Sequence, residues 1–195
     1  NSLNSLEKKG FTAKVYKAPL TNDLVHKLQT ISDAWLIEFD KEEQLFSPGM
    51  FDAKEIISQD VISIADGEGN IVAFLNIIPD YSPDECTYDL IRKTAKAPSG
   101  CMDALIIKMV EYAKENKFHY INLGLVPMTG ITEPNSPAEQ LIKYAGEKLN
   151  RFKHYHGLRD FKEKYATIWE DKFILDEYDY ELLQMHATLK EVMQT

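Results

Sequence analysis

The chain of 195 residues predicts an α/β fold, with helices flanking a mixed β-sheet. Segments with a period of two alternate with segments of helical period along its length. Two apolar runs also flank the glycine-bearing stretch Asp66-Gly67-Glu68-Gly69-Asn70, as a hairpin would. Finally, the order helix, hairpin, strand, helix, strand, helix, strand belongs to mixed sheets covered by helices.

Leu3 and Leu6 with Glu7-Lys8-Lys9-Gly10 read as the last turns of a helix ending at a C-terminal glycine. A helix starting at residue 1 without a cap reads as one whose first half lies upstream, so a fragment of a longer protein is expected. Phe11 to Tyr16 alternates as a short strand. Thr21-Asn22-Asp23 then offers N-cap chemistry to a helix carrying Leu24, Val25, Leu28, Ile31, Trp35 and Leu36 at helical spacing. Asp40 to Gly49 reads as a loop, with Asp52 capping a short helix through Ile57. The hairpin strands are Val61–Ala65 and Ile71–Ile78, and Cys86–Ile91 is a third strand of the same sheet. Pro98-Ser99-Gly100 breaks the chain before a helix with Met102, Leu105, Ile106, Met109, Val110 and Ala113 on one face. Tyr120–Leu125 follows as a buried strand, and Met128–Pro137 as a loop. A helix capped by Ser136 comes next, then a strand at Lys172–Leu175 and a tail helix from Tyr180 to Met193. Residues 1–178 are therefore expected to form one lobe, with 179–195 a C-terminal helix.

The charge is unevenly spread. From Lys143 to Lys164 seven Lys or Arg stand against three Asp or Glu, a balance of +4 in a chain whose net charge is −9. The rest therefore carries −13, which excludes a uniformly basic nucleic-acid binder. A solvated amphipathic helix and a local anion-facing surface both account for the segment. No stretch approaches the roughly 20 apolar residues that span a bilayer. Cys86 and Cys101 have neither a partner motif nor metal-ligand spacing, and read as buried free thiols of a reducing compartment.

The element order is that of an acetyltransferase-like (GNAT, acyl-CoA N-acyltransferase-like) lobe. Such a lobe grips a pyrophosphate at a strand-to-helix turn rich in glycine. Pro98-Ser99-Gly100-Cys101 stands at that junction with a single glycine, which argues against acyl-CoA as a cofactor. Several strings taken together are similar to the C-terminal catalytic region of the multiple peptide resistance factor family, the bacterial phosphatidylglycerol lysyltransferases and alanyl relatives. They are Asn4-Ser5-Leu6-Glu7-Lys8-Lys9-Gly10-Phe11, Ile31-Ser32-Asp33-Ala34-Trp35-Leu36, Phe46-Ser47 with Gly49 and Phe51, and Ile71-Val72-Ala73-Phe74-Leu75-Asn76. Asp89-Leu90-Ile91-Arg92, Pro98 with Gly100, Met102 and Asp103, and Asn122-Leu123-Gly124 with Pro127 and Gly130 continue the series. Gly157-Leu158-Arg159 with Phe161-Lys162-Glu163-Lys164 closes it.

The resemblance implies a second GNAT-like lobe that works with a first lobe and a membrane segment. The amino acid, Lys or Ala, would pass from aminoacyl-tRNA to the hydroxyl of phosphatidylglycerol or a similar polar lipid. It implies no cofactor beyond aminoacyl-tRNA as co-substrate, and a cytoplasmic place at the inner face of a bacterial membrane. An acyl-CoA-dependent N-acyltransferase and a non-catalytic lobe that binds tRNA or a partner remain the alternatives.

Asp89 and Arg92 lie close enough to pair as a salt bridge. The matching motif implies instead a catalytic pair: Asp89 binding the aminoacyl ammonium or taking the acceptor proton, and Arg92 binding phosphate or the developing oxyanion. Arg159, Lys162 and Lys164, with Tyr155 and His156 just before them, fit phosphate neutralisation and stacking on an unpaired tRNA end. They also fit a solvated helix face. His154 and His156 alternate in an extended segment, but no Cys or carboxylate triad joins them, so a metal is not expected. Asp103 reads as a macrodipole partner and Trp169 as a packing aromatic. With no Gly-x-Ser-x-Gly and no Cys beside a base, direct attack of the acceptor on the ester is the expected chemistry.

Overall fold

The structure, a computed structural model, describes residues 2–38, 49–79, 82–126, 133–134, 139–140, 143–144 and 153–172. The chain divides into two compact units, Asn1–Asn122 and Leu123–Thr195.

The first unit opens with helix α1 (Ser2–Glu7), whose Leu3 and Leu6 are buried. Its end obeys the expected glycine signal. Gly10 has φ of 82°, in the left-handed region, and the Phe11 N–H donates to the Leu6 carbonyl at 3.0 Å. Strand β1 (Thr12–Tyr16) follows, then helix α2 (Asn22–Glu38), capped where the Thr21 hydroxyl accepts from the Leu24 N–H at 3.3 Å. Helix α3 (Ala53–Ile56) is capped by Asp52, which accepts from the Lys54 N–H at 2.7 Å. Strands β2 (Asp60–Ala65) and β3 (Ile71–Ile78) form the hairpin, and the Asp66 carboxylate holds its turn by accepting from the Glu68 and Asn70 N–H groups. Strand β4 (Glu85–Lys93), helix α4 (Cys101–Glu115) and strand β5 (Tyr120–Asn122) complete the unit.

The sheet order is β1-β2-β3-β4-β5, antiparallel through β4, with β5 parallel to β4. The mixed sheet is therefore present as expected. The apolar face of α2 closes a core of Leu24, Val25, Leu28 and Ile31 over Val61, Phe74 and Leu90, while α4 packs against β2 and β3. Every β3 residue from Val72 to Ile77 is buried, which explains why that strand reads as a continuous apolar run. Leu28 is wholly buried, a contribution of about 2 kcal/mol for a side chain of this size.

The sheet carries one irregularity that reaches the β4 side chains. On β3 and β4 the register passes from Leu75↔Ile91 to Ile77↔Tyr88, so Asp89 and Leu90 together oppose Asn76. This is a β-bulge, and the buried Asn76 side chain serves its spare backbone group. Asn76 Oδ1 accepts from the Leu90 N–H at 2.6 Å, and its Nδ2 donates to Gln59 Oε1 at 2.8 Å. Strand β5 differs from the buried six-residue strand expected. It pairs with β4 over three residues at the sheet edge, and Tyr120 is 60% exposed.

In the second unit, helix α5 spans Lys153–Glu163. It corrects two expectations: His154 and His156 lie in helix rather than extended chain, and the helix passes through Gly157 instead of starting after it. An added Cβ at Gly157 meets nothing within 4 Å, so the glycine is no packing requirement, and its cost in a helix of about 1 kcal/mol is tolerated. The expected strand at Lys172–Leu175 lies outside the described residues from Phe173 on. So do the Ser136 cap, the tail helix and, apart from Glu133 and Pro134, the loop at Met128–Pro137.

Candidate functional site

The bulge decides where the β4 side chains go. In a regular strand, residues three apart point to opposite faces, so Asp89 and Arg92 would part company. The extra residue at Asp89/Leu90 corrects the phase, and both side chains reach the backbone of the same residue, Gly49. The Gly49 N–H donates to Asp89 Oδ1 at 2.7 Å, and the Gly49 carbonyl accepts from the Arg92 guanidinium. Arg92 is 4% exposed. Its other nitrogen donates to the buried Ser32 hydroxyl of α2, and the guanidinium carbon lies 5.0 Å from the centre of the Trp35 ring.

Above this arrangement lies an open pocket of about 340 Å³. Asp89, Asp52 and Glu55 bring carboxylates to it, Gln59 and Asn76 bring amides, and Met50, Ile56 and Ile78 supply apolar wall. Asp89 is among the residues that line the pocket and Arg92 is not. The family motif implies Arg92 on phosphate or the developing oxyanion; in the structure its guanidinium meets Ser32, Gly49 and Trp35. Sequence reasoning also missed Ser32, Gly49, Asp52 and Glu55 as parts of this site. Ser32 and Gly49 stand in the strings that carry the family resemblance, so a signal is there, but nothing local ties either one to β4.

Asp52, Glu55 and Asp89 give the pocket three acidic residues beside an apolar wall, and no Lys or Arg is among its described lining residues. Covalent catalysis finds no support among the described cysteines. Cys86 and Cys101 are both buried, and burial pushes the Cys101 thiol up, so it is not an activated nucleophile. Asp103 sits in the first turn of α4, where its charge complements the helix dipole.

The basic segment divides by exposure. Lys164 is exposed, with its amine 5.4 Å from the centre of the Phe161 ring, and the half-buried Arg159 stacks 5.1 Å from the Trp169 ring. Trp169 is thus a packing partner, though 45% exposed. Lys162 departs from the expected surface contact. It is 6% exposed, and its amine donates to the Leu125 carbonyl at 3.0 Å. An added Cβ on Gly124 would lie 3.5 Å from that amine. Burial pushes the Lys162 pKa down to about 8. Tyr155 and His156 fall on the first turn of α5, where the backbone alone is described. Among the described residues no helix is long and apolar enough to cross a membrane.

Residues 1–176 match the family described as phosphatidylglycerol lysyltransferase, C-terminal. A phosphatidylglycerol lysyltransferase from Bacillus subtilis is 33% identical over 173 residues, which are 88% of this chain and 20% of the relative. One from Staphylococcus xylosus is 30% identical over 176 residues, covering 89% and 21%. The chain spans about one fifth of the length of these curated relatives. Among solved structures, L-PGS from Bacillus licheniformis superposes with a TM-score of 0.82 at 30% identity, covering 99% of this chain and 59% of that one. The C-terminal domain of a putative lysylphosphatidylglycerol synthetase from Agrobacterium fabrum gives a TM-score of 0.76 at 32% identity, covering 96% and 57%. A ribosomal-protein-alanine N-acetyltransferase from Brucella melitensis, at 14% identity and a TM-score of 0.50, covers 86% of this chain and 99% of that one and shares the fold alone. The fold is GNAT-like, and the chain belongs to the phosphatidylglycerol lysyltransferase C-terminal family.

Proposed function

We propose that this chain is the lobe of a bacterial aminoacyltransferase that seats the amino acid during transfer from aminoacyl-tRNA to the hydroxyl of phosphatidylglycerol. The observation that carries the reading is the carboxylate-lined pocket at Asp89. An aminoacyl ester presents an α-ammonium to any site that binds it, and a lysyl ester presents a second one at the end of an alkyl chain. Asp52 and Glu55 answer those charges, leaving Asp89 for the proton, while Met50 and Ile78 pack the methylenes, so lysyl is preferred over alanyl.

In the reaction, the lipid hydroxyl oxygen forms the new bond to the ester carbonyl carbon, and the bond from that carbon to the tRNA ribose oxygen breaks. Asp89 accepts the hydroxyl proton, which passes on to the departing ribose oxygen. Alignment and charge do the remaining work. Arg159 and Lys164, with Tyr155 and His156, are the proposed contacts to tRNA phosphates and the unpaired end. Lys162, buried on the Leu125 carbonyl, acts there by fixing the segment after β5. The site of action is the cytoplasmic face of the membrane, where phosphatidylglycerol headgroups and charged tRNA meet.

Asp89→Asn, introduced into the intact protein to which this lobe belongs, tests the reading. With charged tRNA and phosphatidylglycerol vesicles, lipid aminoacylation is expected to fall at least about a hundredfold, the scale of a lost general base, with the far-UV circular dichroism unchanged. Near-normal transfer by a folded variant would refute it.

A further inference from the structure

The Gly49 backbone is held on both sides of its Cα. Its N–H is bound by Asp89, its carbonyl by Arg92, and Arg92 is itself fixed by Ser32 and the Trp35 ring on α2. Gly49 has φ of 92°, a backbone shape that residues with a side chain rarely take. Immediately after it, Met50 and Asp52 line the pocket, and the Phe51 ring meets the buried Phe74 ring edge-on, with centroids 6.3 Å apart. A hydrogen bond to a guanidinium and one to a carboxylate are both charge-assisted, hence stronger and better aligned than neutral ones. Gly49, which leads into the pocket wall, is therefore bound to the proposed reacting carboxylate on one side and to Arg92 on the other.

We propose that Ser32, Trp35 and Arg92 form a positioning clamp that acts through the Gly49 backbone to set Asp89 and the Met50–Asp52 wall at the pocket. Arg92 is then a positioning residue and not a contact to substrate phosphate. Its planar fork serves the Ser32 hydroxyl and the Gly49 carbonyl together while its face rests on an indole, a combination lysine cannot reproduce. Ser32 and Trp35 lie one turn apart on α2, so the helix that closes the core also sets the site. The proposal rests on the reading of Asp89 as the reacting-centre carboxylate.

Amide hydrogen exchange at Gly49, measured by NMR on this chain, reads the clamp without any activity. Arg92→Lys and the milder Ser32→Ala are expected to speed Gly49 exchange by about tenfold or more, approaching the rate in Asp89→Ala, which removes the acceptor. Trp35→Phe, which keeps a ring face, is expected to stay within about threefold of wild type, whereas Trp35→Ala is not. Wild-type exchange rates at Gly49 in both Arg92→Lys and Ser32→Ala would overturn the clamp. In the intact protein, the same two variants should lower kcat while the KM for charged tRNA and for lipid changes less than about twofold. A raised KM with kcat unchanged would return Arg92 to substrate binding and likewise overturn it. If Asp89→Asn leaves transfer intact while Gly49 exchange responds as expected, the functional reading has failed and the clamp stands as an architectural device.

Discussion

Removing the Lys162 amine should stabilise the protein at neutral pH, and the gain should fade as the pH rises. The amine is 6% exposed, and burial lowers its pKa from the ordinary 10.5 to about 8. Between those two values the unfolded chain holds a proton that the folded chain does not, so unfolding takes up protons and stability rises with pH. The difference, 10.5 minus about 8, at about 1.36 kcal/mol per pH unit, makes the charged amine cost on the order of 3 kcal/mol at pH 7. By pH 10 the same linkage leaves only about 1 kcal/mol. Lys162→Met keeps the stem and removes the titration. It also leaves the Leu125 carbonyl without this donor, a pH-independent loss of about 1 kcal/mol that shifts the whole difference curve and not its slope. Urea unfolding followed by tryptophan fluorescence at pH 7, 8, 9 and 10, wild type against Lys162→Met, gives the curve directly. The expected result is a stability advantage of the variant that shrinks by about 2 kcal/mol across the range. A difference independent of pH would show that the folded protein holds the ammonium without penalty, and the burial reasoning would be wrong.

Three further outcomes are expected. Burial alone would raise the Asp60 carboxyl, but the Lys17 ammonium, the Ala18 N–H and the Tyr112 hydroxyl outweigh it and hold the pKa below the ordinary 3.8. Its stabilising share is therefore present above that value and lost as the pH falls through the lower folded one; Asp60→Asn should cost about 1 to 3 kcal/mol at pH 7 and flatten the acid limb of an unfolding profile. Asn76→Ala removes the acceptor of the bulge N–H and should cost about 1 to 3 kcal/mol in a denaturant melt, while disturbing Asp89 more than distant core residues in NMR spectra. Arg159→Ala with Lys164→Ala should weaken tRNA binding and flatten its dependence on salt by roughly 0.7 to 0.9 per lost contact on logarithmic axes; an unchanged slope in filter binding would remove the segment from the tRNA interface.

Much of the fold was legible because its signals are local. Thr21 and Asp52 cap helices with their own side chains, Gly10 ends one by taking a left-handed turn, and the Asp66–Asn70 turn closes a hairpin through hydrogen bonds within five residues. Apolar spacing on α2 and α4 likewise fixed which face would be buried, since a face that cannot meet water must find the sheet. The second unit is less legible. Gly157 reads as a break and the alternating histidines as extended chain, yet helix α5 runs through both, because one unfavourable residue is outweighed by the turns on either side of it.

The site divides along the same physical line. From its own letters the chain determined the α/β class, the capped helices and the hairpin, while Asp89 as a site carboxylate is implied only by the family resemblance. Only the tertiary structure decided that a bulge opposite Asn76 would turn Asp89 and Arg92 toward one residue, Gly49, that Arg92 would be buried on Ser32 and Trp35, and that Lys162 would leave the basic surface. Strand phase is set by pairing with a neighbour, and burial of a charge by elements far away in the chain. Residues 32, 49 and 92 are brought to one point by packing, and no spacing along a sequence encodes that distance.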